Sequence, residues 1–424
     1  MGDSEATAVS GTPADQGRQP SGMWEPLRHP MFRRLVIGRV TTYLGNAVAP
    51  VALAFAVLDL TGSVAALGIV VGARSLANVA LLLLGRVLAD RLPRGVILQG
   101  ASVAAAGSQL ATAAAVLMGF ASIPLLVVLS VVNGAVAAVS LPAASALTPQ
   151  TVPPALLRQA NALARLGINT ALITGASFGG MVAALVGAGW AMVATGAVFL
   201  LAAFFYARVR APEVDSAAPT RPLADLKAGW REFASRPWVW SVVAGMMVVN
   251  AAFVGGVQVL GPAIADTTFG RPAWGFILGA QTAGMALGGL IATRWQPRRA
   301  LLVGTALIAA SSVPLFALAH LPALVPMLVA MVLCGVAVEQ FAIAWDVSLQ
   351  ENVPADKLAR VYSYDAMGSF IAIPLGEIAI GPLALHFGAP ATLTGAGVLI
   401  VVAVAAVVVT PGIRTLTISK KGVA

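Results

Sequence analysis

The sequence predicts an all-α membrane protein: twelve transmembrane helices in two pseudo-symmetric six-helix bundles. Three observations carry this. The 424 residues are 58% hydrophobic and only 10% charged, against about 25% charged in a soluble protein. The basic residues gather in alternate connections between apolar runs. Short stretches of the first half recur in the second.

A spanning helix needs about 20 apolar residues, and cutting the chain at charge clusters, prolines and glycines leaves twelve such runs. Spans one and two (34–58, 63–85) lie between the Arg28/Arg33/Arg34 cluster and Arg86/Arg91/Arg94. Spans three and four (95–118, 123–146) lead from there to Arg158. Spans five and six (161–187, 189–208) meet at Val186-Gly187-Ala188-Gly189, a join so short that they form a hairpin, and end at Arg208 and Arg210. Spans seven and eight (238–263, 273–293) run from Arg231 and Arg236 to Arg294, Arg298 and Arg299. Spans nine and ten (300–319, 322–348) end before Lys357 and Arg360, and spans eleven and twelve (363–386, 391–411) lead to Arg414, Lys420 and Lys421. The opposite connections hold one basic residue, Arg271. Basic loops stay in the cytoplasm, so a multi-pass cell-membrane protein with both ends cytoplasmic is expected.

Five segments follow: a disordered N-terminal tail (1–29), a first six-helix bundle (30–208), a central linker (209–237), a second bundle (238–411) and a C-terminal tail (412–424). The tail has no apolar core behind a charged start, so it is not a cleavable signal. Residues 223–234 form either an amphipathic surface helix, through Leu223, Leu226, Trp230 and Phe233, or a plain solvated linker. The halves repeat weakly. GRVLADR (85–91) matches GGLIATR (288–294) at an offset of 203, and VPPALL (152–157) matches VPADKL (353–358) at an offset of 201.

Other classes are excluded by composition. The formal charge of +9 sits beside apolar runs without aromatic platforms, which argues against nucleic acid. One cysteine, Cys334, permits no intrachain disulfide, and His29, His320 and His386 are scattered, so neither metal nor cofactor is expected. No nucleophile or His/Asp cluster occurs in the connections, so the chain is not expected to be an enzyme.

A charge deep in a span is costly and faces a cavity or a partner. The candidates are Arg39 and Asn46 in span one, Arg74 with Asn78 in span two, Ser130 and Asn133 in span four, Asn250 and Gln258 in span seven, Gln281 in span eight, Glu339 and Asp346 in span ten and Glu377 in span eleven. Glu339 and Glu377 are the titratable groups expected in a polar path, with Arg74 or Arg39 as counter-charge; a permanent structural ion pair is the other reading. Asp346 lies nearer the cytoplasmic end, where a loop arginine would pair with it. Asp59 reads as a solvated helix end.

LADRLPRG (88–95) resembles the signature loop of the major facilitator superfamily, Gly-x-Leu-Ala-Asp-Arg-x-Gly-Arg-Arg, with Asp90, Arg91 and Arg94 on its charged positions and Arg86 and Pro93 replacing glycines. Leu141-Pro142-Ala143, Gln159-Ala160-Asn161-Ala162, WDVSLQENVP (345–354), Ala359 to Asp365 and Gly381-Pro382-Leu383 resemble the branch holding the enterobactin exporter and actinobacterial efflux proteins. The resemblance implies the major facilitator fold, a gate at Asp90, Arg91 and Arg94, and a central cavity lined by spans one, four, seven and ten. It also implies a monomeric exporter of a small amphipathic molecule such as a drug, siderophore or other secondary metabolite, with the proton as coupling ion. Import of an organic acid or sugar is the alternative. Two motifs of proton-coupled drug exporters are degraded: span five reads Gly175-Ala176-Ser177-Phe178-Gly179-Gly180 without its proline, and span four has Ser130 at the place of its arginine.

Overall fold

A computed structural model describes residues 23–89, 93–209, 230–295 and 297–416. Among them, twelve helices are long and apolar enough to cross a membrane. In the first half these are α1 (Pro30–Thr61), α2 (Val64–Ala89), α3 (Arg94–Leu117), α4 (Ile123–Leu147), α5 (Leu157–Leu185) and α6 (Ala188–Tyr206). In the second half they are α7 (Pro237–Thr267), α8 (Arg271–Arg294), α9 (Ala300–His320), α10 (Leu324–Asn352), α11 (Ala355–Phe370 continued by Ile373–Phe387) and α12 (Ala389–Val408).

Local chemistry sets the ends. Pro30 and Pro237 occupy first turns, where a missing N–H costs nothing. α1 stops at Gly62, whose left-handed φ of 62° lets its N–H cap the Leu58 carbonyl at 2.8 Å. α1 has 32 residues, about 48 Å at 1.5 Å per residue, so it projects beyond a hydrocarbon core of about 30 Å. α11 begins at Ala355, two turns before the expected start. Lys357 and Arg360 end the apolar run but not the helix, which leaves the membrane as a polar stalk. α7 contains a π-helical turn, Gly256–Leu260, and α9 a 3-10 turn, Ile308–Ser312. Neither has a hydropathy signal.

Consecutive helices alternate in direction. The face where α1 begins and α12 ends is called terminal here, the opposite one distal. α1 packs on α5 and α6, α2 on α4, and α3 on α4 and α6; α8 packs on α10, α12 on α7 and α9, and α11 on α7. Small residues permit the closest approaches. Gly134 of α4 lies against the Arg74 carbonyl of α2, and Gly335 of α10 against the Gln281 carbonyl of α8. These glycines are 201 residues apart (335 − 134), the spacing of the sequence repeat.

The halves meet through α2 on α11 and α5 on α8, with α7 near its π turn touching α1 and α2. The closest of these contacts are distal. Gly68 faces the Glu377 carbonyl, Gly381 faces Ala65, Gly180 faces the Arg271 carbonyl, and Gly275 faces the Ala176 carbonyl.

Of the linker, residues 230–234 are helical. Phe233 is buried and stacks on Tyr364 of α11 at 5.7 Å, with Trp230 5.7 Å from both rings. Lys357 and Arg236 both donate to the Glu232 carboxylate, at 3.0 and 2.6 Å. This short helix is thus docked on the second half. Leu223 and Leu226 lie outside the described residues, as does most of each tail.

Candidate functional site

Polar side chains along the seam between the halves fall into layers. The distal layer is an arginine held by two carboxylates. Arg271, the first residue of α8, donates to both oxygens of Asp59 at the end of α1, at 2.5 and 3.0 Å, and to Asp266 at 2.7 Å. Its guanidinium also lies 4.8 Å from the Phe55 ring centroid. Asp59 is exposed at the helix end, as expected from the sequence, and is also one side of a bidentate link joining the first half to the second.

The middle layer joins α11 to α2. Glu377 is 2% exposed. The Ser75 hydroxyl donates to its carboxyl, and the positive charge of Arg74 acts on it, while Oε2 is buried without a hydrogen-bond partner. Arg74 is fixed from the other side: its Nε donates to Asn133 Oδ1 at 2.9 Å, and Asn133 Nδ2 reaches Ser108 Oγ at 3.4 Å. A chain of hydrogen bonds thus runs Ser108, Asn133, Arg74 through α3, α4 and α2, and the charge at its end acts on Glu377 of α11.

A third group of polar side chains lies nearer the terminal face. Glu339 is half-buried on α10, against Gly288 of α8. The cation whose field reaches it is Arg165 of α5, in the opposite half. Sequence reasoning named Arg74 or Arg39 for this role. Arg74 instead belongs to Glu377, and Arg39 donates to Thr148 at 3.0 Å within its own half. Asp346 is exposed and accepts from Tyr362 at 3.0 Å, an intrahalf contact where a loop arginine was expected. Asn250 donates to the Ser369 carbonyl of α11 at 2.9 Å, a packing contact.

The structure also assigns positions that the sequence reading passed over. Asp365 accepts from Trp345 at 3.0 Å and from Ser369 at 3.2 Å, so it locks α10 to α11. Ser75 and Arg165 were visible as polar residues in spans, but their partners lie more than 170 residues away. Of the gate motif, Asp90 and Arg91 lie outside the described residues, and Arg94 is the first residue of α3.

Arg39, Asn46 and Asn133 share one feature: they line a cavity of about 190 Å³ in the first half, between α1, α3, α4, α5 and α6, with Tyr43, Phe199 and Tyr206 in its wall. Among the described residues, no three His, Cys, Asp or Glu side chains gather in a metal-binding group.

The family profile of the Major Facilitator Superfamily matches residues 35–377. The chain belongs to the Major Facilitator Superfamily. It is accordingly a multi-pass membrane transporter of small molecules, not an enzyme. Comparison with curated proteins finds no match. Solved structures share the fold. A bacterial homolog of the human lysosomal transporter Spinster, in an inward-facing and unoccupied conformation, has a TM-score of 0.73 at 19% identity, over 94% of this chain and 98% of that one. The nucleoside transporter NupG, as a mutant, has 0.75 at 13% identity, over 89% and 98%. A D-xylose–proton symporter has 0.66 at 14% identity, over 89% and 95%. At these identities the likeness to solved structures is one of fold.

Proposed function

We propose that this transporter exports a small amphipathic molecule, such as a drug, siderophore or other secondary metabolite, by alternating access, with protons moving the opposite way. It would sit in the cell membrane as a monomer with both ends in the cytoplasm, and its two six-helix halves would rock about the central seam. The observation that carries the reading is the meeting of Glu377 with Ser75 and Arg74. A buried acid of one half accepts from Ser75 of the other and lies in the field of its Arg74, within a largely apolar interface. Protonating Glu377 removes its attraction to Arg74 and frees α11 to part from α2. A proton can therefore exchange one set of seam contacts for another, which is what coupling requires.

The terminal face is cytoplasmic on the charge pattern. On this reading the seam would be closed outside by the Arg271–Asp59 link, with the field of Arg165 reaching Glu339 on the inner side. Glu339, half-buried near that side, would serve as the second proton-carrying group. Asp90, Arg91 and Arg94 would close the cytoplasmic side in the alternate state. The scarcity of polar side chains along the seam favours an amphipathic cargo over a sugar, which needs many hydrogen-bonding groups. Kinship with the enterobactin-exporter branch rests on the stretches quoted above and points the same way.

The test measures accumulation of a panel of amphipathic dyes and antibiotics in cells with and without the gene, with the pH gradient intact and collapsed. Lower accumulation that depends on both the gene and the gradient, and that is lost in Glu377→Gln, is expected. Gene-dependent gain of cargo would make the protein an importer.

A further inference from the structure

The cavity takes all its lining residues from the first half. Its wall comes from α1, α3, α4 and α6, with Leu172 of α5, helices of one bundle. It is lined mainly by apolar atoms of residues such as Leu98, Val136 and Phe199, with Arg39 as the one charged residue among those around it. Arg39 spends one donor on Thr148 Oγ1 at 3.0 Å. Its Nε is buried and has no hydrogen-bond partner. None of the lining residues is acidic, and no salt bridge joins Arg39 to a carboxylate among the described residues. Buried donors are almost always satisfied. An arginine at an apolar cavity with an unused donor and no anion beside it among the described residues is short of one acceptor, preferably a charged one.

From this we infer that the cavity binds an aromatic carboxylate: the ring lies among the apolar side chains and the carboxylate accepts from Arg39. The size agrees. An apolar cavity of about 150 Å³ holds benzene, so about 190 Å³ takes a ring of similar or somewhat larger size. The occupant also touches the seam indirectly. Asn133 lines the cavity and holds Arg74, the residue whose charge acts on Glu377. A ligand that moves Asn133 loosens or tightens Arg74, and through it the contact between the halves. This inference rests on the proposed export function and specifies its cargo as weak aromatic acids held in the first half.

The experiment uses the full chain in lipid nanodiscs. Binding of naphthalene-2-carboxylate is measured by calorimetry beside its neutral amide, for the native protein, Arg39→Gln and Ala101→Leu, which fills the cavity without touching a charge. Export of the same carboxylate is followed in parallel in cells. Expected are binding of the carboxylate at least tenfold tighter than the amide, loss of that preference in Arg39→Gln, and loss of binding and export together in Ala101→Leu. No binding, or binding unchanged in Ala101→Leu, overturns the inference even where the dye panel is exported normally. Should Arg39→Gln not fold, Ala101→Leu still decides. Binding with the expected variant pattern, but no export of anything, would leave the site standing and remove the export function.

Discussion

Arg271 and Asp59 meet at the distal end of the seam, guanidinium to carboxylate with two hydrogen bonds, although they are 212 residues apart and belong to different halves. Asp266 supports the arginine from its own half, so the link is preassembled on one side and closes onto the other. Parting the distal face requires Asp59 to leave.

Asp59→Asn should therefore favour the distal-open state. Partly exposed pairs contribute about 0.2–1 kcal/mol, so the population ratio should shift by up to about fivefold. Spin labels placed across the distal face, in a background with Cys334 replaced, would report it as a longer distance component. Asp266→Asn, which leaves the cross-half link in place, should shift the ratio less.

Removing Arg74 alone should be worse than neutralising its partner. Arg74→Ala removes both the donor to Asn133 and the positive charge that acts on buried Glu377, whereas Glu377→Gln keeps the shape and removes the charge. Thermal unfolding in detergent should rank Arg74→Ala lowest. The double variant should recover part of the loss, because the two residues are energetically coupled.

Gly275 lies against the Ala176 carbonyl and Ser177 backbone of α5, and backbone cannot move aside as a flexible side chain can. Gly275→Val should hold α5 and α8 apart, abolish transport and leave the protein folded and monodisperse. Gly100→Val, where a side chain meets open space, is the control and should transport normally.

The docked linker helix should respond to acid. Hydrogen bonds from Lys357 first and Arg236 second hold the Glu232 carboxyl below the usual carboxylate range. A depressed pKa means that docking gains stability above the unfolded pKa and loses it as pH falls through the folded one. Between pH 7 and 5 the Trp230 environment should stay constant. Below about pH 4, where free carboxylates protonate, Trp230 should become more accessible to quenchers. Glu232→Gln should remove the transition.

The fold was legible because lipid imposes a coarse rule: long apolar runs cross, and basic loops alternate. That rule sets the number of spans and most of their bounds. It fails at Ala355–Val361, where a charged helix continues outside the membrane, and at Gly256–Leu260, where helix type changes without any change in hydropathy. The site was half legible. Arg39, Arg74, Glu339 and Glu377 stand out because charge is rare in these helices. Their partners do not, since pairing depends on which helices touch. Periodicity within α2 says nothing about α11, so Ser75 looked like any small polar residue. Arg165 lies just inside span five beside a basic connection, and nothing in its own helix points to Glu339.

Gly388 alone separates α11 from α12, and its φ of 83° turns the chain with no slack. Any excursion of α11 away from α2 is therefore transmitted to its neighbour at once, as between two arms of a rigid fork. The smallest mechanical piece on that flank is a pair of helices, and inserting a few flexible residues at the bend should uncouple the arms without touching a single charged group.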